Sequence, residues 1–187
     1  MSHLSHIGKK YFKLIEFDEN EELLLEIRKH TFGLFVLVLS GVLIAATIML
    51  ATFALAASNF VEEVGLDGAR GAIALAGFIL AVLTIVLTAI FAQLYRNNVV
   101  FVTNEKIAQI LYINLFNKKI SQLNIGDVQD VTFTQRGILA HLFHYGTLVI
   151  ETAGEQQNYT FTYVPKPQET AKVLISAHES NLKQYGN

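Results

Sequence analysis

The sequence predicts a membrane α-helical hairpin followed by an α+β domain, in which an antiparallel, bent sheet or barrel of six or seven strands is capped by a C-terminal helix. Three observations predict this fold class. Of the 187 residues, 52% are hydrophobic and only 16% are charged, whereas soluble domains carry about 25% charged residues. Charged residues are missing from two windows, residues 31–61 and 71–95. After residue 96 the pattern changes to the alternation that is typical of half-buried strands.

The two uncharged windows are long enough to cross a membrane as helices. A helix needs about 20 apolar residues to cross roughly 30 Å of hydrocarbon. We predict spans at about residues 31–57 and 71–95, joined by an outer loop over residues 58–70. Small residues recur at four-residue spacing, which either predicts close packing of the two helices or arises by chance in alanine-rich spans. They are Gly41, Ala45, Ala72, Ala76, Gly77 and Ala81.

The charges beside the spans predict their orientation. Arg28 and Lys29 precede the first span, Arg96 follows the second, and the intervening loop is mainly acidic. Because Lys and Arg near span ends stay in the cytoplasm, we expect a multi-pass protein of the cytoplasmic membrane with both termini inside.

Residues 1–30 are predicted to form a cytoplasmic segment with an acidic helix. Asp18 and Glu21 have the spacing of a capping box, and nearby carboxylates suit the positive end of a helix. The pattern predicts a helix that starts at about Glu19 and continues without a break into the first span.

Residues 96–187 are predicted to form the cytoplasmic α+β domain. The alternating runs predict strands at about residues 98–103, 106–113, 117–122, 127–135, 147–152 and 158–164. The run Gly137–Gly146 is predicted to form a turn or a short helical corner. Pro167 suits the first turn of a helix, which places Ala171, Leu174, Ile175 and Leu182 on one side and closes the open end of the sheet.

Three runs in this domain resemble the bacterial pleckstrin-homology-like (PH-like) domain of the YdbS/YdbT-like membrane proteins. They are VTNEKI at Val102–Ile107, IGDVQDV at Ile125–Val131 and YGTLVI at Tyr145–Ile150. Two preceding spans and an acidic segment ahead of them are also typical of that family. The resemblance implies a pleckstrin-homology superfold in the cytoplasmic membrane, with self-association or partner binding. It also raises envelope stress or antimicrobial-peptide tolerance as a biological setting.

The first hairpin loop departs from the lipid-binding eukaryotic members of the superfold, which hold inositol phosphates with several Lys and Arg residues there. In this sequence the loop holds Asn104 and Glu105, with Lys106 as its one cation. A polyphosphate headgroup needs several cationic donors, so phosphoinositide recognition is not expected at this loop.

No pattern indicates a catalytic, cofactor or metal site. The chain has no cysteine, and His141 and His144 lack an evident third zinc ligand. A net charge of −2 argues against nucleic-acid binding. The remaining candidates are basic residues that either face the membrane or a partner, or form a solvated edge. They are Arg28, Lys29, Arg96, Lys118, Lys119 and Arg136.

The sequence therefore predicts a non-enzymatic, membrane-anchored binding or assembly module at the inner face of the cytoplasmic membrane. Its expected partners are membrane lipids and either further copies of itself or another membrane protein, with no small-molecule substrate. The alternative is an oligomeric channel or transporter component in which the PH-like domain is a cytoplasmic sensor. An enzyme acting at the bilayer surface is a third reading, for which the sequence offers no acid/base pair.

Overall fold

The computed structural model of the chain describes residues 8, 15, 17, 21–152 and 158–185. The chain divides into two units: a helical unit, Leu34–Gln93, and a sheet unit that combines Met1–Gly33 with Leu94–Asn187. The segment before the helices, which is predicted as a separate cytoplasmic segment, and the segment after them form one sheet unit, since Leu23–Arg28 pairs with Val99–Thr103.

The helical unit contains most of two long helices. Helix α1 covers Thr31–Ala57, a short helix α2 covers Asn59–Glu63, and α3 covers Arg70–Asn97 after a 3-10 turn at Asp67–Ala69. In the described part of the chain, two helical stretches are long and apolar enough to cross a membrane, Thr31–Ala57 and Asp67–Asn97. Most of their large apolar side chains are exposed.

Four of the six small residues singled out in the sequence lie where α1 and α3 contact each other. A Cβ added at Gly41 would meet the side chain of Thr88, and one added at Gly77 would meet the side chain of Thr52. These close approaches require glycine, because any side chain would separate the helices. Ala45 and Ala81 are buried in the same unit, whereas Ala72 and Ala76 are exposed.

The first sheet joins strands from both sides of the helical unit. Its antiparallel order is β1 (Leu23–Arg28), β2 (Val99–Thr103), β3 (Lys106–Tyr112) and β4 (Lys118–Asn124). Arg28 pairs with Val99, so the chain leaves the sheet for α1 and returns from α3 at adjacent positions.

The predicted acidic helix is wrong over Leu23–Arg28, which is strand β1. The sequence LLLEIR is compatible with a helix or a strand. Pairing with β2 and burial of Ile27 stabilise the strand. This tertiary pairing overrides local helix propensity. Asp18 and Glu19, where the predicted helix begins, lie outside the described residues.

The second sheet is antiparallel in the order β5 (Val128–Thr134), β6 (Tyr145–Thr152) and β7 (Tyr159–Pro165). A short helix α4, Ile138–Leu142, joins β5 to β6, and α5 covers Pro167–Tyr185. Helix α5 buries Ala171, Leu174 and Ala177 in the core shared by the two sheets. Ile175 and Leu182, predicted for that side, are instead exposed.

Both faces of the first sheet are covered. Val100 and Val102 of β2 belong to the core shared with the second sheet and α5, whereas Val99 and Phe101 pack with Ile15 on the opposite face. Every residue of β2 is therefore buried, which explains the continuous apolar run VVFV at its start.

Candidate functional site

The strand ends gather at one edge of the sheet unit, which we call the junction edge. It consists of residues 28–33, 94–98, 112–119, 134–147 and 162–166. In the first sheet Tyr112 N–H donates to Asn98 Oδ1 at 2.7 Å, and Tyr112 pairs with Lys118. From the second sheet, Tyr163 C=O accepts from His30 N–H at 2.6 Å. The chain enters α1 and returns from α3 at this edge.

The structure brings all of the predicted basic site residues to the junction edge. Arg28 ends β1 and Lys29 follows it, while Arg96 lies in the last turn of α3. Lys118 and Lys119 begin β4, and Arg136 lies between β5 and α4. Residues far apart in the sequence thus form one basic rim, in which Arg96, Lys118, Lys119 and Arg136 are exposed.

The charged residues of the junction-edge stretches are all basic, and one of them, Lys166, pairs with Glu169 of α5 at 3.0 Å. The five stretches contain no Asp or Glu in the sequence. Acidic residues lie instead at the opposite strand ends, where Glu22 N–H donates to Asn104 Oδ1 at 2.8 Å and Glu105 C=O accepts from Ile125 N–H at 2.8 Å. The sheet unit therefore has a basic edge and an acidic edge.

An aromatic cluster occupies the junction edge. The rings of Phe32 and Phe143 stack at 4.5 Å between centroids, and Phe32 also stacks on Tyr145 at 5.1 Å. Tyr145 stacks on Tyr163 at 5.2 Å, and Tyr163 meets Tyr95 edge-on at 6.2 Å. These contacts link the first turn of α1 and the last turns of α3 to the second sheet.

The backbone of the junction edge is tightly constrained. A Cβ at Gly33 would lie 2.8 Å from Tyr95 Cζ and 2.9 Å from Tyr163 Cδ1, so only glycine fits there. His144, Tyr163 and Lys166 adopt left-handed conformations with φ of 54°, 56° and 44°. Non-glycine residues pay roughly 1 kcal/mol or more for this conformation. The surrounding hydrogen bonds and ring contacts must therefore hold the strained backbone in place.

Two cations at the edge are partly withdrawn from water. Burial lowers the pKa of Lys29 below its usual value, and its Nζ lies 5.2 Å from the centre of the Tyr95 ring. Arg28 Nε is buried with no hydrogen-bond partner in the described part of the chain. Both residues line a cavity of about 80 Å³ between β3 and β7. Arg28 and Lys29 are therefore half-buried, in contrast to the four exposed basic residues of the rim.

The first hairpin loop, by contrast, is neutralised. Lys106 Nζ lies 2.9 Å from the buried carboxylate of Glu21, which also accepts from Thr103 Oγ1 at 2.6 Å. The one cation of the loop is thus committed to an internal ion pair. Among the described residues no group of three or more potential metal-ligating side chains comes together, and His141 Nδ1 lies 3.0 Å from Gly137 O.

A family model described as "Bacterial PH domain" matches residues 31–178. The chain belongs to the bacterial PH domain family. The matched region includes both long helices and most of the sheet unit, and it begins after β1. PH-like domains are generally binding modules without catalytic activity, and this family is defined by such a domain.

Other comparisons add little to the family assignment. No curated protein matches the chain. One similar solved structure is a DUF1696 family protein with a pleckstrin-homology domain from Shewanella loihica PV-4. It is 12% identical over 43% of this chain and 70% of its own, with a TM-score of 0.35, a likeness too low to support an argument about function.

Proposed function

We propose that this protein is a non-enzymatic, membrane-anchored binding module at the inner face of the cytoplasmic membrane, with α1 and α3 as its two spans and both termini in the cytoplasm. The observation that carries the proposal is the basic junction edge, which lies where the chain enters and leaves the two uncharged helices. Lys and Arg beside membrane spans favour the cytoplasmic side. Each also contributes about 1 kcal/mol of attraction to anionic lipids near the surface.

The exposed surface of the helical unit supports the anchoring part of this proposal. Large apolar side chains such as Leu43, Leu50 and Phe53 point outward from α1, and Leu75, Phe78 and Ile79 do so from α3. A monomeric protein in water rarely exposes continuous apolar surface of this extent. In hydrocarbon the same surface is solvated without penalty, so a lipid environment accounts for it.

The helical unit has the features of an anchor more than those of a pore. Thr52 Oγ1 and Thr88 Oγ1 donate to the carbonyls of Ile48 and Thr84, each at 2.8 Å, and both side chains lie at the helix contact. No Asp, Glu, Lys, Arg or His occurs in either uncharged window, whereas ion pathways and proton relays usually contain one. This favours the binding module over the channel or transporter alternative.

As its binding partner, the module would take either further copies of itself or another membrane protein. Tethering to the membrane raises the effective concentration of the module near such partners, so that a weak contact suffices. The resemblance to the YdbS/YdbT-like proteins, and with it a setting in envelope stress or antimicrobial-peptide tolerance, supports this part. A ring-sized oligomer that conducts solutes through vesicles would support the channel instead.

Single-cysteine labelling tests the topology directly, because the natural chain has no cysteine to remove. Gly68→Cys lies in the exposed loop between the spans, where an added Cβ meets nothing within 4 Å, and Ser180→Cys is exposed on α5. In intact spheroplasts a membrane-impermeant maleimide should label Gly68→Cys and should label Ser180→Cys only after permeabilisation. Labelling of Ser180→Cys from outside would overturn the proposal.

A further inference from the structure

Two exposed apolar loops flank the basic residues of the junction edge. The first joins β3 to β4 and presents Ile113, Leu115 and Phe116, of which Phe116 is 98% exposed. The second is α4 with its flanks, where Ile138 is 86% and Leu142 is 64% exposed. We propose that these two loops insert their apolar side chains into the inner leaflet, so that the sheet unit has its own contact with lipid besides the two spans.

The position of both loops identifies lipid as the occupant. Tyr112, which precedes the first loop, is held to Asn98 directly after α3. Phe143, which follows α4, stacks on Phe32 in the first turn of α1. Both loops therefore lie beside the points at which the chain enters and leaves its apolar helices. This proposal rests on the proposed function, since those helices define where the lipid is.

The charges around the loops fit an anionic surface. Lys118 and Lys119 directly follow the first loop, and Arg136 precedes α4. Long basic side chains at such positions can reach headgroup phosphates while neighbouring apolar residues enter the hydrocarbon boundary. No carboxylate occurs in the junction-edge stretches of the sequence, so no acidic side chain from those stretches would be brought against the lipid phosphates.

Backbone N–H groups of the first loop are hydrogen-bonded within the loop, as a site with little water requires. Asn114 Oδ1 accepts from Phe116 N–H at 2.9 Å and from Asn117 N–H at 2.7 Å. Asn117 C=O accepts from Ile113 N–H at 3.0 Å. Because these donors are already paired, the turn can approach hydrocarbon without leaving them unsatisfied. The same bonds hold Phe116 at the tip of a defined turn.

The second loop shows a similar arrangement. Gln135 Nε2 donates to Ala140 C=O at 3.3 Å and to Tyr145 C=O at 3.2 Å. These bonds connect the chain after β5 to α4 and to the start of β6. Ala140 is the buried residue of α4, whereas the larger apolar residues around it point outward. Several large apolar side chains exposed together form the kind of surface patch that marks an interaction site.

The absence of tryptophan from the chain allows a fluorescence test with full-length protein. Phe116→Trp and Leu142→Trp each place one reporter in a loop, and Glu105→Trp places a control reporter in the half-buried turn at the acidic edge. The variants are reconstituted in vesicles of phosphatidylethanolamine and phosphatidylglycerol, with and without bromine on the acyl chains. We expect the two loop reporters to emit at shorter wavelength and to lose roughly half of their emission to the brominated lipid, and Glu105→Trp to be unaffected.

A further reporter, Leu43→Trp in α1, separates failure of this proposal from failure of the proposed function. If Leu43→Trp is quenched by the brominated lipid and the loop reporters match Glu105→Trp, the spans are in the membrane and the loop proposal is overturned. If Leu43→Trp is also unquenched, the anchoring itself fails. Loop reporters that are shielded from aqueous acrylamide yet insensitive to bromine would indicate a protein contact and would also overturn lipid insertion.

Discussion

At the residue scale, His30 connects β1, α1 and the second sheet. Its backbone N–H donates to Tyr163 C=O at 2.6 Å, and its C=O accepts from Tyr95 Oη at 2.8 Å. Its ring Nδ1 accepts from Phe32 N–H at 3.0 Å, which satisfies a free donor in the first turn of α1. This last bond requires an unprotonated Nδ1, so the junction depends on the neutral form of the imidazole.

We therefore predict that acid weakens the sheet unit through His30. Burial lowers the pKa of His30 below its usual 6.5, so between the two pKa values the unfolded chain binds a proton that the folded chain excludes. The free energy of unfolding should consequently be constant with respect to this group above about pH 6.5 and should fall as the pH drops below it. Thermal unfolding in detergent micelles across this range measures the effect.

His30→Gln identifies the group responsible. Glutamine can still accept from Phe32 N–H but does not titrate, so the decrease of Tm on acidification should be smaller in this variant than in the natural protein. His141→Gln is the matched control, because His141 is an exposed histidine. Equal pH dependence of the natural protein and His30→Gln would contradict the prediction.

At the element scale, the contact between α1 and α3 depends on two glycine–threonine pairs. The backbone at Gly77 approaches the side chain of Thr52, and that at Gly41 approaches Thr88. In hydrocarbon no water is released when helices associate, so close van der Waals packing has to supply the stabilisation. An added methyl group at either glycine would push the helices apart.

We predict that Gly77→Ala destabilises the helical unit by about 1–3 kcal/mol, the usual cost of overpacking a close contact. A lower Tm in detergent micelles would show this. Gly71→Ala, at a helical position where an added Cβ meets nothing within 4 Å, should not lower Tm, because alanine favours a helix more than glycine does. Combining Gly77→Ala with Thr52→Gly should recover part of the loss, and an unaltered Tm for Gly77→Ala alone would contradict the packing described.

The elements differ in how far sequence alone could predict them. The long helices were predictable because an uncharged run is a property of one segment. The bacterial PH domain could be anticipated from short local hairpins such as the one at Val102–Ile107, and a bacterial PH domain is what the family match shows. Strand β1 was not, because its partner β2 is separated from it by the entire helical unit. Its local signals, acidic residues and leucines, favour a helix.

The basic residues of the candidate site could be predicted from the sequence, but its aromatic cluster could not. Arg28, Lys29 and Arg96 attract notice because they adjoin uncharged runs. Phe32, Tyr95 and Tyr163 come from three distant segments, and nothing in the sequence shows that Tyr145 joins their rings in one cluster. The exposure of Phe116 could not be read from the sequence either, since an apolar residue between two strands is compatible with burial or exposure.

At the scale of the whole molecule, the sheet unit is interrupted by the helical unit. Strand β1 supplies one edge of the first sheet and contributes Ile27 to the core, while Ile15 covers the opposite face. Burial of each such side chain is worth about 1.5–3 kcal/mol. Together they contribute about 3–6 kcal/mol, which is comparable with the lower end of the roughly 5–15 kcal/mol by which a domain is usually stable. The chain before α1 is therefore a structural part of this domain.

This leads to a prediction about fragments. Residues 96–187 alone should aggregate or unfold, because they expose the edge of β2 and lose the side chains from β1. Residues 1–30 joined directly to residues 97–187 by a short glycine-rich turn should be soluble and unfold cooperatively, since Arg28 and Val99 are already paired neighbours. Circular dichroism measures whether each fragment is folded, and its change on heating measures whether the fragment unfolds cooperatively. A stable fragment 96–187 that unfolds cooperatively would contradict the prediction. It would show that β1 is an accessory strand and that residues 96–187 suffice to form the folded domain.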